Sequence, residues 1–231
     1  MSAKGITTYW RKRWREGRIG FHQSEFDRHL VRFGPEVLGL RGSAVDEIGK
    51  VNTPRILVPL CGKSLDLLWL RDHGAKVTGV ELAPEACTAF LSENKLPENP
   101  VDDIEGFRRF TSPGLELLEG DLFNLPAKRF DGIWDRAALI AIPPDHRRRY
   151  AKHLTKRLGC GKSILLVTIE YDRTRMEGPP FSIPEQEIEN LYPDAEIEKL
   201  NEAELPESAE KFSIPWMIER VHRVQAREKA R

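Results

Sequence analysis

The chain has 231 residues, with 36 Lys and Arg against 36 Asp and Glu, so its formal net charge is zero. That balance gives no electrostatic basis for binding nucleic acid or an anionic membrane surface, and no apolar run is long enough to span a bilayer. One domain covering residues 1–231 suits the length and leaves enough chain for a sizeable core.

The N-terminal "YWRKRWREGRIGFHQ" begins a stretch, residues 7–33, that reads as helical, with Trp10 and Trp14 four apart on one face. Gly17 and Gly20 interrupt it, and Ser24 is placed to cap a second helix running to Leu30 or Phe33. Three readings compete for the aromatic and Arg mixture: a core-docking helix, a basic patch, and a lid (residues 1–33) over a site. The zero net charge argues against the patch, and the glycines that flank Arg18 and Ile19 favour the lid. Residues 39–54 read as a loop.

From Arg55 a regular alternation follows. "RILVPL" is a buried strand and "SLDLLWLRDHG" a helix ending at Gly74. "KVTGVEL" is a strand, and "PEACTAFLSEN" a helix with Pro84 in its first turn. "LELLEGD" and "FDGIWDR" are further strands. Asp145 is the expected cap of "DHRRRYAKHLTKRL", whose Arg147-Arg148-Arg149 reads as a solvated face. "KSILLVTIEY" is a strand, "IPEQEIENLYP" a helix, and "AEIEKLNE" and "PWMIERVHRV" strands joined without a helix. This pattern predicts an α/β fold: a seven-stranded, mostly parallel sheet with helices on both faces and an antiparallel C-terminal edge.

In such a sheet ligands bind beyond the carboxyl ends of the strands. The first strand runs into "PLCGKS", which ends like a phosphate-binding loop, but the position five before Gly62 is Leu57, so the required glycine is missing. Glu81 ends the second strand 19 residues after Gly62, where nucleotide folds hold a ribose diol. Asp121 ends the next strand and reads equally as an adenine contact or an ordinary turn residue. Arg136, after the following strand, either pairs with neighbours such as Asp135 or faces the cleft. A ligand with adenine and ribose but no phosphate cradle fits S-adenosylmethionine (SAM) better than NAD or ATP. The faces of Trp10 or Trp14 would favour its sulfonium cation.

Cys61, Cys87 and Cys160 lie far apart with no C-x-x-C, and six His are scattered. A reducing, cytoplasmic setting without a metal site is expected. The N-terminus has no apolar secretory core.

The motifs "YWRKRWREGRIGFHQ", "VPLCGKSLDLLWL", "GVELAP", "GDLFNLP", "FDGIWDRAALIAIPP" and "YDRTRMEGPPFSIP", in this order across residues 9–225, resemble the thiopurine S-methyltransferases, within the Rossmann-like class I SAM-dependent methyltransferases. The resemblance implies a cofactor site of Trp10, Trp14, Leu60, Gly62, Glu81 and Arg136, with Asp121 and Leu122 against adenine. It also implies a flap from Trp10 to Phe21, with Phe21, His22 and Phe181 on the acceptor side. It implies methyl transfer from SAM to a small-molecule sulfur nucleophile, or to selenium or tellurium, leaving S-adenosylhomocysteine. Arg136 is the expected holder of an anionic acceptor. Mammalian members place an arginine near the acceptor in the C-terminal region, where this chain has Glu210 and Lys211. A monomer is expected. Methylation of oxygen, nitrogen or halide, and a non-catalytic binding protein of the same fold, are the alternatives.

Overall fold

The computed structural model describes residues 3–40 and 53–227. Residues 41–52 of the expected loop at 39–54 therefore lie outside the described residues. Helices α1 (Ala3–Arg15) and α2 (Arg28–Val37) precede a run of β1 (Arg55–Pro59), α3 (Asp66–Asp72), β2 (Lys76–Glu81), α4 (Pro84–Glu93), β3 (Asp102–Ile104), β4 (Phe107–Ser112) and β5 (Leu115–Glu119). Then come β6 (Phe130–Arg136), α5 (Pro144–Thr155), β7 (Leu158–Glu170), α6 (Glu185–Leu191), β8 (Ala195–Glu204), α7 (Pro206–Lys211) and β9 (Ile218–Ala226).

The strands form one sheet in the order β3-β4-β5-β2-β1-β6-β7-β9-β8. The five central strands, β5-β2-β1-β6-β7, are parallel. Antiparallel pairs extend both sides: β9 and β8 beyond β7, and β4 and β3 beyond β5. The count is thus nine among the described residues. The seven expected strands are all present, and the β3–β4 hairpin is the addition. The hairpin escapes a periodicity search because "DDI" is exposed throughout and "FRRFTS" buries only Phe107 and Phe110.

Alternation in the strands feeds a core on each face, as a pleated strand covered on both sides requires. Ile56 and Val58 pack with Leu30 of α2, Leu67 and Leu70 of α3 and Phe90 of α4. Leu57 and Ile133 pack on the other face with Tyr150 and Leu154 of α5 and Ile188 of α6.

Several local expectations are corrected. Asp27, not Ser24, caps α2: its side chain accepts from the N–H groups of His29 and Leu30. Asp145 does not cap α5, whose N-cap position is Pro143 with no side-chain bond; Pro144 opens the helix, where its missing N–H costs nothing. Helix α5 ends at Thr155 rather than near Gly159. The link between β8 and β9 contains the short helix α7, opened by Pro206. Arg147 is not solvated: its side chain is 0% exposed, and it donates to the Ile142 carbonyl and to Glu187 of α6.

Candidate active site

Strand order reverses direction at β1: the chain builds outward through β2 and β5 on one side and through β6 and β7 on the other. A crevice opens beyond the carboxyl ends of strands at such a switch point. The turn after β1, Leu60 to Ser64, and the end of β6 with the residue after it, Arg136 and Ala137, form its two walls, and Trp14, Phe21 and His22 complete the lining. The backbone at both strand ends is strained: Leu60 has φ 47° and Ala137 φ 64°, a left-handed conformation that costs a non-glycine residue about 1–2 kcal/mol. Strain of this kind persists where surrounding structure fixes it, and here both strained residues line the crevice.

Gly62 has φ 55°, and a Cβ there would lie 3.0 Å from Cζ2 of Trp14. The indole of the N-terminal segment thus rests on the bare backbone of the first loop. Phe21 holds the indole in place, edge-on to Trp14 at 5.6 Å and to Trp10 at 5.4 Å. Trp10 itself is outside the cavity lining and acts on it through Phe21.

Glu81 lies behind this loop and is 7% exposed. Its Oε2 accepts the Gly62 N–H at 2.8 Å and its Oε1 the Ala83 N–H at 2.7 Å. Burial raises its pKa against the opposing effect of these backbone donors. Two carboxylate oxygens offer about four acceptor sites, so capacity remains beyond the bonds from Gly62 and Ala83, although the nearby Leu82 N–H also bears on the carboxylate. Lys63 does not point toward a phosphate position: its Nζ sits 2.7 and 2.9 Å from the two oxygens of Glu93 on α4.

Arg136 lines the crevice with 20% of its side chain exposed, and it does not pair with Asp135. Its Nη1 donates to the Phe21 carbonyl at 3.2 Å, and its Nε lies 3.4 Å from Asp27 Oδ2. Asp66, 2% exposed, accepts the Asp27 N–H on Oδ1 and the Trp134 indole N–H on Oδ2, both at 2.9 Å. Asp27, Asp66 and Trp134 are the residues that sequence reasoning missed. Asp27 was legible as a cap before the apolar run of α2, but the pairings span 39 to 68 residues and leave no local trace.

Asp135 faces away from the crevice, fully buried. Tyr150 Oη donates to its Oδ2 at 2.7 Å and the Leu139 N–H to its Oδ1 at 3.0 Å. Burial lifts its pKa to about 6 against these donors. Since the folded value lies above the ordinary value of 3.8, the folded state binds the proton more tightly. Its stabilising contribution is therefore full below the unfolded value and is lost as pH rises through about 6. Asp135→Asn is neutral at every pH; its amide oxygen still accepts the Leu139 N–H, while its amide N–H must donate to Tyr150 Oη in place of accepting from it. Denaturant titrations from pH 4 to 7 are expected to show the variant gaining on the parent as pH rises, by on the order of 2–3 kcal/mol in all. A constant difference across that range would show that Asp135 does not titrate there.

Asp121 and Leu122 follow β5. Asp121 is exposed and accepts the Phe123 N–H at 2.9 Å, an Asx turn that opens a short 3-10 helix, and Leu122 is 4% exposed. Neither lines the crevice between β1 and β6. Phe181 is also outside it, in a separate hollow with Arg147, Tyr171 and Met176. The structure thus brings together Trp14, Phe21, His22, Leu60, Gly62 and Arg136, sets Glu81 directly behind them, and leaves Asp121, Leu122 and Phe181 apart. Among the described residues no group of His, Cys, Asp and Glu could hold a metal ion, and no helix is long and apolar enough to cross a membrane.

This topology, with its crevice at the switch point, is that of the class I SAM-dependent methyltransferases. A SAM-dependent methyltransferase from Methanosarcina mazei superposes with a TM-score of 0.59 at 19% identity, over 77% of this chain and 94% of that one. A 1,6-didemethyltoxoflavin-N1-methyltransferase from Burkholderia thailandensis, solved with S-adenosylhomocysteine, gives 0.59 at 16% identity over 98% and 89%. Among curated sequences, thiopurine S-methyltransferases of Pseudomonas paraeruginosa and Azotobacter vinelandii are both 40% identical to it, covering 94% and 95% of this chain and 97% and 98% of their own. The family profile for thiopurine S-methyltransferase matches residues 6–227. The chain belongs to the thiopurine S-methyltransferase family, whose methyl donor is SAM.

Proposed function

We propose that the protein transfers the methyl group of SAM to a small sulfur nucleophile, an aryl or heterocyclic thiol, a small thiol, or a selenium or tellurium analogue. The residues around the crevice fit the donor. Glu81 has acceptor capacity left for the ribose diol, and Gly62, with no side chain, lets the Trp14 indole of the lid close onto the first loop. Trp14 and Phe21 offer aromatic surface to a sulfonium. Asp121 and Leu122 take the adenine end in this reading. Residues 1–33 act as a lid, which excludes water and holds the reactants in line.

One observation carries the choice of acceptor atom: among the described lining residues His22 is the one unengaged base, and it sits on the lid rather than on a rigid strand end. Lys63 is engaged by Glu93, and Asp66 accepts from Trp134 and from the Asp27 backbone. Burial, with Lys63 and Arg136 close by, lowers the pKa of His22, which belongs to the lid rather than to a strand end. A thiolate needs no base, because it is already ionised and strongly nucleophilic. Its sulfur lone pair forms the new S–CH3 bond as the sulfonium S–CH3 bond breaks. Those bonding electrons stay on the donor sulfur, so anion and cation give two neutral thioethers. Arg136 steadies the anionic acceptor beforehand.

The test is a matched set of thiol, selenol, phenol and amine acceptors, followed by mass spectrometry at several pH values. The methylation rate should follow the ionised fraction of the thiol and not the titration of a protein group. Faster methylation of the phenol or the amine than of every sulfur or selenium compound would overturn the choice of acceptor atom.

A further inference from the structure

Arg136 does not stand alone in the crevice, and the residue opposite it has a second role in the fold. Asp27 is 3% exposed. Its Oδ1 accepts the N–H groups of His29 at 2.8 Å and Leu30 at 3.4 Å, which fixes the start of α2. Its own N–H is tied to Asp66 at 2.9 Å, and Asp66 is held in turn by Trp134 of β6. The carboxylate is therefore pinned from the helix and from the sheet, and its free oxygen, Oδ2, is presented to Arg136 Nε at 3.4 Å. The lid contributes the Phe21 carbonyl to Nη1. These two contacts engage Nε and one N–H of Nη1, and leave Nη2 and the second Nη1 hydrogen.

We propose that Asp27 is a positioning residue that sets both the orientation and the effective charge of Arg136, and so decides how much negative charge the acceptor can carry. The proposal rests on Arg136 being the acceptor-side group. With Asp27 Oδ2 set against Arg136 Nε, the crevice offers an ion pair rather than a bare cation. The sulfonium donor then binds without facing an uncompensated guanidinium. An acceptor anion must share Arg136 with a fixed carboxylate. The site therefore favours thiols whose only charge is the reacting sulfur, and disfavours acceptors bearing a further carboxylate. The other charged groups nearby do not take over this role. Asp66 turns both oxygens to N–H donors, Lys63 is paired with Glu93, and the pKa of His22 is lowered.

Asp27→Asn removes the charge and keeps the cap, since Asn and Asp cap helices equally well, and Asp27→Ser is a second neutral capping variant. The backbone bond to Asp66 is retained in both. Thiophenol and 4-mercaptobenzoate are compared in steady state, and SAM and S-adenosylhomocysteine by calorimetry. KM for 4-mercaptobenzoate should fall about three- to ten-fold relative to KM for thiophenol, the scale of one unscreened charge beside a binding site. The affinity for cationic SAM should fall relative to that for neutral S-adenosylhomocysteine. Adding Arg136→Gln should abolish both differences. Equal effects on the two thiols and the two nucleosides, or differences that persist without Arg136, would overturn the assignment to Asp27. If the parent protein methylates neither thiol, the functional reading fails on its own terms, and the calorimetric comparison still decides whether Asp27 compensates Arg136.

Discussion

Glu81→Ala should weaken SAM binding about ten-fold or more, because in the proposed binding mode the two ribose hydroxyls lose a charged acceptor worth roughly 1.5–3 kcal/mol. The loss will not be confined to the ligand. The same carboxylate accepts the N–H of Gly62 and of Ala83, and the site is 7% exposed. Removing it strands two backbone donors, each at a cost of about 1–3 kcal/mol. Unfolding free energy in the absence of ligand should therefore drop as well. Glu81→Gln retains one carbonyl acceptor and should fall between parent and Ala in both measurements. Calorimetry and denaturant titration on the three proteins separate the effects. An Ala variant that is folded, equally stable and equally tight for SAM would remove Glu81 from the site and from the support of the first loop.

Arg147→Met should be among the most damaging single changes. The guanidinium is fully enclosed, its Nε on the Ile142 carbonyl, its Nη1 on Glu187 and its carbon 5.8 Å above the Phe181 ring; Nη2 has no partner. Loss of one member of a buried pair costs about 3–5 kcal/mol, and the lower end applies here because Glu187 is partly exposed and keeps Arg173 at 2.7 Å. The midpoint of denaturant unfolding should move down with little change in slope. Neighbouring Arg148→Met, on the exposed side of α5, should leave it within about 0.5 kcal/mol. Equal effects at the two positions would mean that Arg147 contributes nothing as a clamp between α5 and α6.

The three consecutive arginines show where sequence reading succeeds and fails. In composition they are alike. In phase they are not: Arg147, Tyr150, Ala151 and Leu154 are spaced as one helix face, and all four are buried. The phase was readable; the partner, 40 residues on, was not. The central strands were legible because each is a short apolar run closed by a turn signal. The β3–β4 hairpin was not, since its apolar content is low and its one signal is the turn at Glu105 and Gly106, both with positive φ. The crevice followed from topology, because strand ends at a reversal of order must converge. What the sequence hid was how its charges are shared. Arg136 was visible as a charge at the end of an apolar strand, while Asp27 caps α2, Asp66 opens α3 and Trp134 lies on β6, and they meet only once the sheet has formed.

The sheet ends in β3 on one side and β8 on the other, and both are conspicuously acidic. Strand β3 begins with Asp102 and Asp103, and β8 carries Glu196, Glu198, Glu202 and Glu204 along ten residues. An unpaired strand is a template for another chain, and charge along it is a common safeguard. A second copy joining β8 to β8 would bring Glu196 and Glu204 against like charges, while Glu198 and Glu202 are already paired with Arg223, Arg220 and Lys199; β3, only three residues long, offers too little ladder to hold a partner. The nine-stranded sheet is thereby protected at both rims against growing into its neighbours, so concentrated protein should resist association by strand addition.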